Sequence, residues 1–270
     1  MPPASRIILQ RLAAAYRRGE RLVLVFDYDG TLTPLVAHPS LAHLEPGLGE
    51  LLARLAATPR VTVGLVSGRA LDNLMEMAGL AGLAGLHYGG STGLEMELAG
   101  ERLIPAKAQE SCALLDSLSA AFEQRLDTYP GTWVEKKPFG FTVHYRQLEM
   151  DKIVPLQTEV MALLEPHADS LHILDGPMAI EVVPAIERDK GTALRSIVAY
   201  GGTESATVLY AGDAANDAPA LAAAVELGGI SLGIGPEPPA EAAYRLPDPS
   251  ALTKLLAALA DELTALRSSI

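Results

Sequence analysis

Arg21-Leu-Val-Leu-Val-Phe-Asp27-Tyr-Asp29-Gly30-Thr31 decides the fold. An unbroken apolar run enters a carboxylate, a second carboxylate follows two positions later, and a glycine comes next. Apolar residues without polar alternation predict a strand buried on both faces, the kind found in parallel sheets. Two carboxylates at this spacing can face the same side of an extended chain. So close together they repel, unless a cation or a proton sits between them. One can then attack while the other, kept protonated, acts as an acid. The plain alternative is a surface Asp-Gly turn.

Moving outward, Val61-Thr-Val-Gly-Leu-Val66 is a second such run and ends at Ser67-Gly68-Arg69. Residues 44–57 have helical spacing, so strand, helix and strand make the unit of a doubly wound sheet. Ala206-Thr-Val-Leu-Tyr-Ala211 leads into Gly212-Asp213, and Gly229-Ile-Ser-Leu-Gly233 predicts a further strand. Residues 251–266 suit a closing amphipathic helix. The middle differs. Residues 109–126 and 151–164 are helical in pattern, and Thr132–Lys136 and Phe139–Arg146 are strands. The second of these alternates apolar and polar, as a half-buried antiparallel strand does. Leu171–Leu174 and Met178–Val183 predict a hairpin around Asp175-Gly176-Pro177. The expected fold class is α/β: a doubly wound, Rossmann-like parallel-sheet core over residues 1–102 and 186–270, with an α+β domain inserted at 103–185.

With 270 residues the chain has room for about two domains. A formal net charge of −12 repels phosphate backbones and anionic lipids, so neither nucleic acid nor membrane is an expected partner. No run of about 18 apolar residues offers a membrane span. Met1–Leu22 carries arginines at 6, 11, 17, 18 and 21 and suits an amphipathic helix, not a signal peptide. Cys112 stands alone, which rules out an intrachain disulfide and suits a reducing compartment. A cytoplasmic monomer acting on a small molecule is expected. If that molecule is a phosphate ester, a metal ion and a lysine must reverse the acidic field locally.

The candidate groups follow the core strands, where ligands of open parallel sheets bind. Ser67 can reach a phosphate oxygen, although a helix N-cap accounts for it equally. Lys190, in Asp189-Lys190-Gly191, precedes a helix. Gly212-Asp213-Ala-Ala-Asn216-Asp217 offers two carboxylates four apart, and oxygen-only ligands suit Mg²⁺ rather than zinc. A capped helix start is the alternative there.

In this order the four segments resemble the phosphatases of the haloacid dehalogenase superfamily, over residues 20–100 and 186–250. The resemblance implies a hydrolase core in which Asp27 attacks phosphorus and forms an aspartyl-phosphate. It implies that Asp29 protonates the leaving oxygen and then activates water. Mg²⁺ would be held by Asp27, the Asp29 backbone carbonyl and Asp213, with Asp217 direct or one step removed. Ser67 and Lys190 would hold the phosphoryl oxygens. The insertion falls where this superfamily places an α/β cap.

Within it, Trp133-Val-Glu135-Lys136-Lys137, Val143-His144-Tyr145-Arg146 and Gly176-Pro-Met-Ala-Ile-Glu181-Val-Val-Pro184 are similar to stretches of the trehalose-6-phosphate phosphatases. So is Asp27–Pro34, "DYDGTLTP". That similarity implies a sugar phosphate substrate, with Glu135, Lys137, Glu181 and Arg69 in substrate binding. Carboxylates accept from sugar hydroxyls and the lysine donates. The alternative for Glu135, Lys137 and His144 is an exposed strand face with cross-strand ion pairs, which is the expected reading for His144. Two stretches depart from the family. Gly90-Ser-Thr92-Gly93-Leu-Glu95 lacks its histidine, and Gly212–Ala218 lacks its extra acidic residues. Phosphatases of sucrose 6-phosphate and of glucosyl- or mannosyl-3-phosphoglycerate share this design. A phosphosugar mutase and a non-catalytic regulator of a sugar synthase are the remaining alternatives.

Overall fold

A computed structural model describes residues 2–36, 39–176, 178–202 and 205–268. The first unit, Met1–Leu103 with Arg188–Ile270, is built from two stretches of chain. The opening stretch runs α1 (Pro3–Arg17), β1 (Arg21–Asp27), α2 (Leu48–Ala56), β2 (Val61–Val66), α3 (Leu71–Ala78), β3 (Leu86–Gly90), β4 (Glu95–Leu98) and β5 (Glu101–Leu103). The second unit, Ile104–Glu187, holds α4 (Ala106–Glu123), β6 (Trp133–Lys137), β7 (Gly140–His144), α5 (Met150–Leu164), β8 (Leu171–Gly176) and β9 (Ala179–Pro184). The chain then completes the first unit with α6 (Lys190–Tyr200), β10 (Ala206–Gly212), α7 (Ala218–Glu226), β11 (Ile230–Ile234), β12 (Tyr244–Leu246) and α8 (Pro249–Ser268). Among the described residues, no helix is long and apolar enough to cross a membrane.

The core sheet has the order β12-β11-β10-β1-β2-β3-β4-β5. β1 lies inside it, parallel to β10 on one side and to β2 on the other, and all its residues are buried. Leu22, Leu24 and Phe26 join one apolar layer with Ile8, Leu12, Leu52 and Leu255 from α1, α2 and α8. Val23 and Val25 join the other with Leu194, Ile197 and Leu221 from α6 and α7. Both faces of the strand are therefore covered, which is why its sequence does not alternate. At Gly64 on β2, a Cβ would lie 2.8 Å from Ile197 Cδ1. The bare glycine lets α6, and with it Lys190, approach the sheet.

The sheet is longer than the sequence suggests. β3 is short and glycine-rich, β12 has three residues, and β4 and β5 run antiparallel at one edge. β4 also buries Glu95 and Glu97, which hides it from any search for apolar runs. Glu95 is satisfied locally, accepting from Ser91 Oγ at 2.5 Å and from Leu71 N at the start of α3.

The second unit is a four-stranded antiparallel sheet, β6-β7-β9-β8, with α4 and α5 on one face. Val134, Phe141, Val143, Ile180 and Val182 point into that face beside Phe122, Leu156 and Val160. The alternate residues Trp133, Glu135, Lys137, Thr142, His144 and Glu181 share the opposite face. β8 continues to Gly176, which pairs with Ala179 of β9, so β8 is longer than expected; Pro177 lies outside the described residues.

Phe141 is fully buried and its ring centroid lies 5.5 Å from that of Phe122. Phe141→Ala should cost about 3–5 kcal/mol through lost transfer energy and a residual cavity. Hydrogen exchange of the full chain should show protection lost across Ile104–Glu187 while β1 and β10 stay protected.

Candidate active site

α6 begins with a lysine, where the positive end of a helix disfavours one. The turn is fixed by a capping box. The Asp189 carboxylate accepts from Thr192 N at 2.6 Å, and Asp189 N donates to Thr192 Oγ1. Lys190 is thereby aimed inward, 1% exposed. Its ammonium donates to Asp27 Oδ1 at 2.6 Å, Asp217 Oδ1 at 2.7 Å and Asn216 Oδ1 at 3.2 Å. Three donors meet three acceptors.

Asp27 ends β1 beside Val66 of β2, and Phe26 pairs with Ala211 of β10. Gly30, at φ +85°, turns the chain back beneath Asp213, and a Cβ there would lie 2.1 Å from Asp213 Oδ2. At Gly212 a Cβ would lie 2.4 Å from the Asp217 carboxyl carbon. Two carboxylates thus pack directly on bare α-carbons, which only glycine supplies. Thr31 Oγ1 donates to Asp213 at 3.2 Å.

Among the described residues, oxygens of Asp27, Asp213 and Asp217 lie within 4.8 Å of one another. Burial pushes the Asp27 carboxyl well above the usual range; Lys190 opposes the rise, and the charges of Asp217 and Asp213 add to it. Burial and Asp217 also raise Asp213, against bonds from Asp27 and Thr31 and the charge of Lys190. For Lys190, burial works against the charged form, but Asp27 and Asp217 outweigh it and hold the ammonium above its ordinary value. One lysine does not balance three carboxylates. A hard divalent cation fits this all-oxygen donor set and would let Asp27 ionise.

Asp217 is the most enclosed of the three, at 0% exposure. Its Oδ1 accepts from Lys190 and from Tyr210 OH at 2.7 Å. Its Oδ2 accepts from the backbone N–H groups of Asp213 and Ala214, each at 3.0 Å. Four donors already occupy the two oxygens. The sequence reading allows Asp217 a place on the metal or one step removed from it, and its four bonds anchor Lys190 and the Asp213 loop. Tyr210, Asn216 and Thr31 were not among the expected site residues. Tyr210 carried a signal, since a tyrosine in the buried part of a strand needs a partner for its hydroxyl.

Asp29 faces a different group. Arg69 Nε donates to its Oδ2 at 2.7 Å and Arg69 Nη2 to its Oδ1 at 2.6 Å, a two-pronged fork that takes both oxygens. Arg69, expected to bind substrate, is thus joined to the candidate acid. Ser67 is 2% exposed, and its Oγ accepts from Arg69 N, leaving its own proton to donate elsewhere. It does not cap α3, whose N-cap is Ala70.

A strained turn holds this loop. Ser91, Thr92 and Gly93 all have positive φ, at 47°, 57° and 91°. Ser91 N donates to Arg69 O at 2.6 Å and Thr92 N to Ser67 O at 2.9 Å. At the non-glycine Ser91 and Thr92, strain of this kind costs on the order of 1–3 kcal/mol per residue and persists only where surrounding structure enforces it.

In the second unit, Glu135, Thr142 and Glu181 lie opposite one another across three strands. Lys137 Nζ is 2.5 Å from Glu181 Oε1, and Glu135 Oε2 is 2.8 Å from His144 Nε2. His144 has the cross-strand partner expected of it.

The family described as Trehalose-phosphatase matches residues 25–244. The chain is 28% identical over 256 residues to a probable trehalose-phosphate phosphatase 4 of Oryza sativa subsp. japonica, covering 92% of this chain and 68% of that one. It is 33% identical over 196 residues to a trehalose-phosphate phosphatase of Mycobacterium tuberculosis, covering 71% of this chain and 48% of that one. The match therefore spans about half the length of the mycobacterial relative. The C-terminal domain of trehalose-6-phosphate phosphatase from C. albicans shares the fold, with a TM-score of 0.72, 22% identity, and 94% and 96% of the two chains covered.

Asp217→Asn and Asp213→Asn should separate. The first strips charge from Lys190 and sets an amide against fixed donors, so urea unfolding should show a loss of about 2–3 kcal/mol. The second removes a carboxyl whose raised pKa makes ionisation at neutral pH oppose folding, so metal-free stability should be equal or higher. It should also raise the Mg²⁺ concentration needed for half-maximal activity more than Asp217→Asn does.

Proposed function

The chain belongs to the trehalose-phosphatase family, and we propose that it hydrolyses trehalose 6-phosphate to trehalose and inorganic phosphate. One observation carries this reading: the buried Lys190 bridge between Asp27 and Asp217, with Asp213 beside it. A nucleophile, its neutralising cation and an oxygen donor set for a metal meet at the ends of parallel strands.

In this mechanism Asp27 Oδ attacks phosphorus as the bond to the sugar oxygen breaks. Lys190 and the Ser67 hydroxyl balance charge on the phosphoryl oxygens. Asp29 gives its proton to the leaving oxygen. It then takes one from the water that splits the aspartyl-phosphate, and phosphate leaves. Arg69 donates once to each Asp29 oxygen and so orients the carboxyl, leaving each oxygen a further lone pair for proton transfer. Asp27, the Asp29 backbone carbonyl and Asp213, with Asp217 direct or one step removed, would hold Mg²⁺, which when bound supplies positive charge to the phosphoryl group. Glu135, Lys137 and Glu181 are assigned to the sugar hydroxyls. All three are polar, partly exposed and on one sheet face, which supports that assignment.

Phosphate release should be assayed with and without Mg²⁺ on trehalose 6-phosphate, sucrose 6-phosphate, and glucosyl- and mannosyl-3-phosphoglycerate. Trehalose 6-phosphate should be preferred and EDTA should stop the reaction; preference for another ester would overturn the substrate assignment. Asp27→Asn should lower kcat by about 10⁴-fold or more with the fold retained, since the amide keeps shape but not nucleophilicity. Normal turnover in that variant would refute the mechanism. Glu135→Ala should raise KM for the sugar ester and leave a small aryl phosphate unaffected.

A further inference from the structure

Trp133 is the chain's only tryptophan, and it does not join the apolar side of its sheet. It is 44% exposed on the polar face that also carries Glu135, Lys137 and Glu181. His144, opposite it in register, stacks on one side of the indole, with ring centroids 4.6 Å apart and planes 15° from parallel. The His144 ring is held in turn by Glu135 at 2.8 Å. One indole face is therefore covered by a fixed ring, in a residue that keeps 44% of its surface exposed. As a shield for an edge strand a charged residue would serve better, since exposed aromatic surface invites association.

Resting on the reading above, we propose that Trp133, backed by His144, is a stacking platform for a pyranose ring of the sugar phosphate. A sugar ring has a C–H face that is apolar and slightly positive. The indole face is apolar and slightly negative, so the two attract. From Trp133 to Glu135 and from Glu135 to Lys137 are steps of about 7 Å each along the strand, so this row is longer than one sugar ring. Carboxylates and a lysine next to an aromatic surface are the pairing a disaccharide requires, with its hydroxyls at the edge and its C–H groups on the face. Thr142 lies between Glu135 and Glu181 in register. Its Oγ is buried and has no hydrogen-bond partner among the described residues. Trp133 is thus a specificity-determining residue that touches substrate away from the reacting phosphorus.

Because the tryptophan is unique, its fluorescence reads this platform alone. Full-length Asp27→Asn should show a saturable change when titrated with trehalose 6-phosphate in Mg²⁺. In the active enzyme, Trp133→Ala should raise KM for that ester about 10-fold, with kcat little changed and aryl phosphate turnover unaltered; Trp133→Phe should recover most of the loss. A flat titration, or unchanged KM in Trp133→Ala, overturns the platform even while trehalose 6-phosphate is turned over. If the protein cleaves aryl phosphate but never trehalose 6-phosphate, the functional reading falls separately. Trehalose alone then judges the platform: a saturable fluorescence change sustains it and a flat response overturns it.

Discussion

The ammonium of Lys190, sealed between Asp27 and Asp217, is the contact on which the remainder of the core site rests. Buried charges are tolerated only when paired and fully hydrogen-bonded. Here the accounting is close to complete. Lys190 uses its three donors, Asp217 receives four, and Tyr210 supplies one of these from β10. Segments from β1, from the start of α6 and from the loop after β10 are tied together by these bonds. Removing one charge leaves its partners stranded away from water, which costs more than the lost attraction itself. The two glycines beneath the carboxylates belong to the same constraint, because no side chain fits where Asp213 and Asp217 press on the backbone.

Around this rigid centre the loop after β2 is held differently. Ser67 and Arg69 are pinned by backbone bonds from Ser91 and Thr92, two non-glycine residues in the left-handed region. Glu95, buried at the start of β4, secures Ser91 from below. The stretch that lacks the family's histidine is therefore not slack; it is a stressed brace whose bonds run to the candidate phosphate-binding loop.

Much of this was legible in the sequence. β1, β2, β10 and β11 announce themselves as apolar runs closed by Gly, Ser or Asp, since both their faces are covered. The cap strand at residues 140–144 announces itself by alternation, since one face is covered and the other wet. β3, β4 and β12 were not legible. They are three to five residues long, and β4 hides two glutamates whose burial depends on Ser91 and on the N-terminus of α3. At the site, Asp27, Lys190, Asp213 and Asp217 could be named because their spacing follows strand ends. What each carboxylate bonds to could not. Asp217 and Asp213 are chemically equal in a sequence, and only tertiary geometry gives one four donors and leaves the other beside Thr31 and Gly30. The fork of Arg69 on Asp29 and the stack of Trp133 on His144 join residues 40 and 11 positions apart, and no local pattern records such pairs.

The neighbours of β1 also set a timetable. On one side β2 lies a short helix away, so that half of the sheet can form as soon as the first hundred residues leave the ribosome. On the other side β10 comes from the far end of the chain, and Lys190 reaches Asp27 across 163 positions. Until those residues are synthesised, the inner edge of β1 stays bare, with unpaired N–H and C=O groups flanked by Val and Leu, a surface prone to wrong partners. The nascent chain must hold this edge open through the synthesis of the whole inserted unit. Non-local closure of this kind is slow. The β1–β10 pairing, which waits for the far end of the chain, is then also the one that assembles the candidate site, so a chain that stalls before residue 212 leaves this edge of β1 exposed and the site unformed.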